Sequence, residues 1–309
     1  MSTTPIDLSR LPVPDIVETI DYETLLAQRK ARLVSLYPAA DQADVAAALE
    51  LESEPMAIQL QESAYREVVL RQRVNDAARA VMLAYAKGAD LEQLAALFEV
   101  VRLTIVEPDP ANNIDGVYED DTDLRARTQL APQGFSVAGP EGAYIKHARD
   151  ADGRVLDASA TSPAPCEVVV TVLSREGDGT ADKTLIDKVT AALQSDNVRP
   201  LTDKVTVRSA TIRRYEIRAT LVFFAGPDRA VVLAEAKKRV AAYANEMRKL
   251  GMPITLDGIF AAARPAGVQK VNLDSPLQDI PASKLEATCC TAIELLDGGV
   301  YGQTGGNGE

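Results

Sequence analysis

The residues best equipped for chemistry fall in one stretch, "GFSVAGPEGAYIKHARDADGRVLDASA" (134–160), which holds the only histidine, His147, and the glycines Gly134, Gly139 and Gly142. Phosphate binding would need a Lys-Ser/Thr pair after the glycines, or a Gly-x-Gly-x-x-Gly turn following a strand; neither is present. Catalysis by His147 would need an orienting acid and a nucleophile close by. Its neighbours at helical spacing are Ala143, Tyr144 and Asp150, and no nucleophile elbow precedes it. The remaining possibility is architecture. Gly139-Pro140-Glu141-Gly142 suits a tight turn, because glycine tolerates positive φ and proline presets its own. Glu141 then lies at a helix start, where negative charge is favoured, and Tyr144, Ile145 and Ala148 form one apolar face.

The other reactive residue types give no stronger site. Cys289 and Cys290 are adjacent in an alternating segment, so they point to opposite faces of a strand, and Cys166 stands alone. An odd count with no His or Cys partners at tetrahedral spacing offers neither a disulfide framework nor a zinc site; all three are expected to be small apolar fillers. The acids Asp115, Glu119, Asp120, Asp121 and Asp123 lack the spacing of a calcium loop. They suit a solvated linker leading into a capped helix. No cofactor or metal is expected. An enzymatic alternative, a small α+β hydrolase or lyase, would have to use His147 with Asp150 or Asp152, or Cys166.

Composition narrows the field further. Across 309 residues the net charge is −12, which disfavours nucleic acid and anionic lipid as partners. Aromatic residues make up 5% and tryptophan is absent, which weighs against a sugar-, base- or flavin-stacking site. No signal peptide opens the chain and no apolar run has the length of a membrane span, so a soluble protein kept inside a cell is expected.

The elements that must position these residues follow from periodicity. A proline-punctuated arm (1–21) leads to a helix capped by Asp21 and ended by Pro38. The segment after Pro55 has no further Gly or Pro until Gly88, which predicts a helix of about 45 Å, ended by Gly88 as a C-terminal cap. Its apolar residues Leu70, Val74, Ala77, Val81 and Tyr85 step by three and four. That spacing fits a helix packed on its own domain and a helix lent to an intermolecular bundle equally well. A short helix (90–100), a strand (101–106) and the acidic loop 107–121 follow. From 155 onward, β-branched alternating segments predict two strands, a helix (180–195) and a third strand. A second unit then has a strand (215–226), a helix (227–251), a short helix (255–267), two more strands and a flexible glycine-rich tail. The fold class expected is α+β and multi-domain: a mainly helical arm and bundle region (1–110), a central α+β domain (111–212) and a C-terminal α+β domain (213–309).

The ordered series resembles a known family. Asp121, Arg125 and Arg127 in "EDDTDLRARTQ", then Ser136, Ala138, Gly139, Gly142, Ala143 and Tyr144, followed by the "VLD" and "VVVTVL" strands, are similar to the baseplate J family of contractile phage tails and tail-like bacteriocins. "TIDYETLLAQRKARLVSLYP", the segment from Leu51 to Ala95 and "NVRPLTDKVTVRSA" also resemble it, so nearly the whole chain is covered except the tail. One departure is "NNIDG" near residue 115.

The resemblance implies a structural wedge protein, not an enzyme. Two unequal copies would join one copy of tail protein I through a helical core bundle. Six such wedges would close into a ring around the hub and link it to the sheath-side wedge proteins, with assembly in the bacterial cytoplasm and no nucleic acid or membrane as partner. In that frame Leu70, Val74 and Val81 are expected at the bundle. Gly139, Gly142 and Tyr144 are expected to form a turn and hinge between modules. Phe223 and Phe224, at the end of the apolar run Leu221–Phe224, are expected at the ring contact.

Overall fold

The structure is a computed structural model that describes residues 6, 8, 11, 12, 21–135, 139–195, 198–226 and 228–302. Most of the expected arm, Ser136, Ala138, Pro227 and the last seven residues lie outside the described residues. The described chain divides into two compact units between Val101 and Arg102. Residues 102–110, expected with the helices, therefore pack with the α+β part.

The first unit is helical. Asp21 caps α1 (Tyr22–Ser35) by accepting from the N–H groups of Glu23 and Thr24. Helix α2 (Gln42–Leu49) follows, and Pro55 opens α3 (Pro55–Ala80), where a missing N–H costs nothing. Leu25, Leu26 and Ala64 form the α1–α3 contact, backed by Tyr22, Leu60 and Val68. The guanidinium of Arg29 ties the two helices together by donating to Ser63 at 2.6 Å and pairing with Glu67. Helix α3 is shorter than its sequence suggested: 26 residues, about 39 Å. The chain turns at Val81, and the turn buries Ala86. Gly88, at φ +50°, opens α4 (Gly88–Ala96) instead of closing α3.

The second unit starts with a small hairpin, β1 (Thr104–Val106) and β2 (Val117–Tyr118). Asp120 caps α5 (Asp121–Leu130) by accepting from Asp123 N at 2.8 Å, and a 3-10 turn over Ala131–Phe135 leads towards α6 (Glu141–Asp150). A three-stranded sheet follows: β3 (Val155–Thr161) runs antiparallel to β4 (Glu167–Ser174), and β4 runs parallel to β5 (Lys204–Ser209). The parallel pair needs a crossover, supplied by α7 (Lys183–Leu193), as the order of the patterned segments predicted. Tyr144 and Ala148 of α6 and Leu185, Val189 and Leu193 of α7 cover Ala158, Val170 and Val172 of the sheet.

The second sheet has the order β7-β6-β8, with β6 (Thr211–Phe223) antiparallel to β7 (Val268–Ser275) and parallel to β8 (Glu286–Val300). Helices α8 (Arg229–Glu246) and α9 (Leu256–Ala263) cover one face. Ile217, Ala219, Leu221 and Phe223 alternate inward against Ala236, Val240, Ile259 and Ala263. Strand β8 runs through Gly298 and Gly299 to Val300, so the ordered sheet takes in the start of the expected tail. Cys289 and Cys290 are half-buried, as fillers would be, but Cys166 is exposed and sits at φ +62° in the β3–β4 connection.

Candidate functional site

His147 lies on α6, half-buried and hydrogen-bonded to the Gly134 backbone; burial and the adjacent Lys146 hold its pKa below the usual imidazole value. The acids that could have served it are committed elsewhere. Asp150 accepts from Arg127 Nε at 2.7 Å and pairs with Lys146, while Asp152 pairs with Arg154 and Lys188. Burial opposes the ionisation of Asp152, but hydrogen bonds from Arg154 and Lys188 outweigh it and hold the pKa at about 2. Among the described residues, no group of three or more His, Cys, Asp or Glu is placed to hold a metal ion.

The glycine turn is a piece of packing. Gly139 has φ +63°, and a side chain there would meet Pro200, Asp203 and Tyr144 at 3.2 Å. A side chain at Gly142 would press on Gln133, 2.9 Å from its Oε1. Tyr144 is 3% exposed, and its hydroxyl donates to Asp203 Oδ2 at 2.7 Å. Burial, together with that carboxylate, pushes the phenol pKa up. Two of the three expected hinge residues, Gly139 and Tyr144, thus fasten α6 to the approach to β5, while Gly142 seats it on the preceding 3-10 turn. These contacts seat α6 in the core of the first sheet.

A second structural centre was missed in the sequence. Glu119, expected to be solvated, has a side chain only 1% exposed. It pairs with Arg127 and accepts from Leu103 N at 2.8 Å. Arg127 also reaches Asp150, so one guanidinium joins the hairpin, α5 and α6. Arg102 supports the same corner by donating to Glu119 O at 2.6 Å and pairing with Asp121 at 2.7 Å. One signal could have revealed this. Arg127 follows Leu124 and precedes Thr128 on the side of α5 that turns inward, where a cation needs a buried partner.

Exposed apolar surface concentrates on the helical unit. Leu70 and Val74 of α3 are each 62% exposed, and Val81, just past its end, is 71% exposed. Ile58, Tyr65 and Val69 are also exposed on α3, an apolar stripe the periodicity reading did not single out. At 100° per residue the two stripes stand about 140° apart around the helix. They flank the side that buries Ala57 and Ala64. The helix therefore buries alanines and exposes its larger apolar residues. In the C-terminal sheet, Phe223 is 1% exposed and belongs to its own core, so it cannot contact another copy, whereas Phe224 is 51% exposed. Phe223 is the last residue of β6, and Phe224 follows outside the strand.

A multi-domain α+β chain whose charged and glycine-rich motifs brace one element on another, and whose large apolar residues stand outside on a helix, belongs to the class of structural assembly components. Comparison with known proteins is specific. Residues 52–109 match the Baseplate J-like N-terminal domain and residues 136–209 the Baseplate J-like central domain. Baseplate protein J of Escherichia phage P2 is 49% identical over 296 residues, covering 95% of this chain and 98% of that protein. The chain belongs to the baseplate J family and is a structural protein of a tail baseplate.

Proposed function

We propose that this chain is the wedge component of its baseplate. Two copies, held unequally, combine with one copy of tail protein I through the helices of the first unit. Six of these wedges close into a ring around the hub and connect it to the sheath-linking proteins. Assembly takes place in the bacterial cytoplasm, and neither nucleic acid nor membrane is a partner. The helical unit that ends at Val101 would serve as the wedge core, the residues from Arg102 to 212 as the central domain and 213–309 as the ring part.

The observation that carries this reading is the exposure of Leu70, Val74 and Val81 beside a meagre core. A helix that leaves such residues in water gains when another helix covers them, at about 25 cal/mol per Å² of apolar surface removed. Phe224, exposed just past the end of β6, supports a ring contact through the C-terminal domain. The test is co-expression with the neighbouring tail proteins and measurement of the mass of the purified complex. A 2:1 complex with tail protein I is expected; a chain that stays monomeric beside soluble tail protein I would defeat the proposal.

A further inference from the structure

We propose that the two sheets of residues 102–302 form one rigid body, welded at Ala210, so that a rearrangement of the baseplate moves them together and not against each other. The link between them is a single residue: β5 ends at Ser209 and β6 begins at Thr211. Successive amides there bind opposite sheets. Ala210 N donates to Val172 O of β4 at 2.8 Å, and Thr211 N donates to Leu285 O at the entry to β8 at 3.1 Å.

Around this point the two domains share a core. Leu173, Ala210 and Ala287 are buried together, with Leu156, Ile212 and Leu250 packed on them. These residues come from β3, β4, β6, β8 and the segment after α8, so the cluster belongs to neither sheet alone. A free joint would have exposed them, because independent domains meet across polar, separable surfaces.

Polar contacts brace the seam from several elements. Leu250 N donates to Asp157 Oδ2 at 3.0 Å, and the Ser159 hydroxyl donates to Lys284 O. Lys284 Nζ reaches Glu141 Oε1 of α6 at 2.6 Å. On the loop after β4, Arg248 donates to Gly177 O at 2.8 Å and Arg214 pairs with Asp178. A rotation about Ala210 would break bonds to α6, β3 and that loop together and open the shared core to water. Such a seam has two states, closed or broken, and no continuous range between them.

The proposal deepens the baseplate reading by saying how displacement passes through the chain, and rests on that reading only for this consequence. It is tested on the isolated full-length protein, so a failed wedge assembly and a failed seam are separate results. Nitroxides carried on an unnatural amino acid at Asp187 of α7 and Lys237 of α8 leave the cysteines untouched, and pulsed dipolar spectroscopy reads their separation. A single distance peak is expected, as narrow as that of a control pair at Glu167 and Asp187 within the first sheet domain, and unchanged when the chain is assembled with its tail partners. A broad or double peak in the free chain, or a shifted peak on assembly, would overturn the proposal. Asp157→Ala combined with Lys284→Ala should broaden the peak. If that variant does not fold, the wild-type peak still decides.

Discussion

Arg127 shows how much a single side chain can determine here. Its guanidinium is 5% exposed and serves two carboxylates, Glu119 and Asp150. Removing one member of a buried ion pair leaves the other charged without compensation, which costs about 3–5 kcal/mol. Arg127→Ala should therefore lower the unfolding free energy of the isolated protein, measured by denaturant titration, by that order, and Glu119→Ala by a similar amount. The double variant should lose less than the sum, because Glu119 is then no longer left buried without its cation. An additive double variant would show that the two residues act separately. Asp152 supports a pH prediction. Its folded pKa, about 2, lies below the unfolded value near 4. Its contribution is thus complete above pH 4 and is lost as pH falls from about 4 to about 2. Asp152→Asn should reduce stability at pH 7 by on the order of 1 kcal/mol after solvent screening. In acid titrations its curve should meet that of the wild type near pH 2, and parallel curves across that window would refute the assignment.

At the scale of the element, α3 is the informative case. Its sequence pattern left two readings open, and the fold shows which residues stay outside. Val74 is 62% exposed, so Val74→Asp should leave the thermal midpoint of the free chain within about 0.5 kcal/mol of wild type. In the complex the same carboxylate would be buried without a partner, a penalty of several kcal/mol. Normal folding with loss of the wedge complex is the expected pair of results, read by calorimetry and by the mass of the co-expressed assembly. If Val74→Asp co-purifies with tail protein I as wild type does, α3 is not the bundle helix. Part of this element was legible: a helix after Pro55, which could equally have been a kink, and the stripe residues Leu70, Val74 and Ala77, while Val81 and Tyr85 fall past its end. Its end was not, because nothing local marks Ala80. The chain turns there, and Ala86 is buried in the turn.

For the molecule as a whole, the seam at Ala210 changes how the C-terminal part is tested. Removing everything after Ala210 would strip Ala287, Ile212 and Leu250 from a shared core and bare Leu173, so a loss of ring closure would be confounded with misfolding. A surface change avoids this. Phe224 is 51% exposed, and Phe224→Asp should leave the fold and the wedge intact while six-fold rings fail to close, as counted by electron microscopy. Closed rings at wild-type yield would remove this face from the proposed contact. The inward Phe223 serves as a contrast, since Phe223→Ala should cost about 3–5 kcal/mol of stability, whatever happens to the ring.

By itself the sequence determined the succession of helices and strands, because capping, glycine and proline placement and two-residue or three-to-four-residue periods are local properties. Asp21, Asp120 and Asp182 cap the helices that follow them for that reason. The β3–β4–α7–β5 order and the family resemblance were legible on the same grounds. Only the tertiary structure decided what depends on pairing across the chain. Glu119 looked like one acid among several until Arg127 and Leu103 enclosed it. Phe223 and Phe224 are equal in sequence; the last residue of β6 packs beneath α8 and α9, and the residue just past the strand is exposed. The partner of the Tyr144 hydroxyl is Asp203, 59 residues further along the chain, which no local pattern announces. Ala210 gave no sign of joining two sheets, since its partners Val172 and Leu285 lie far from it along the chain and come together only after both sheets have formed.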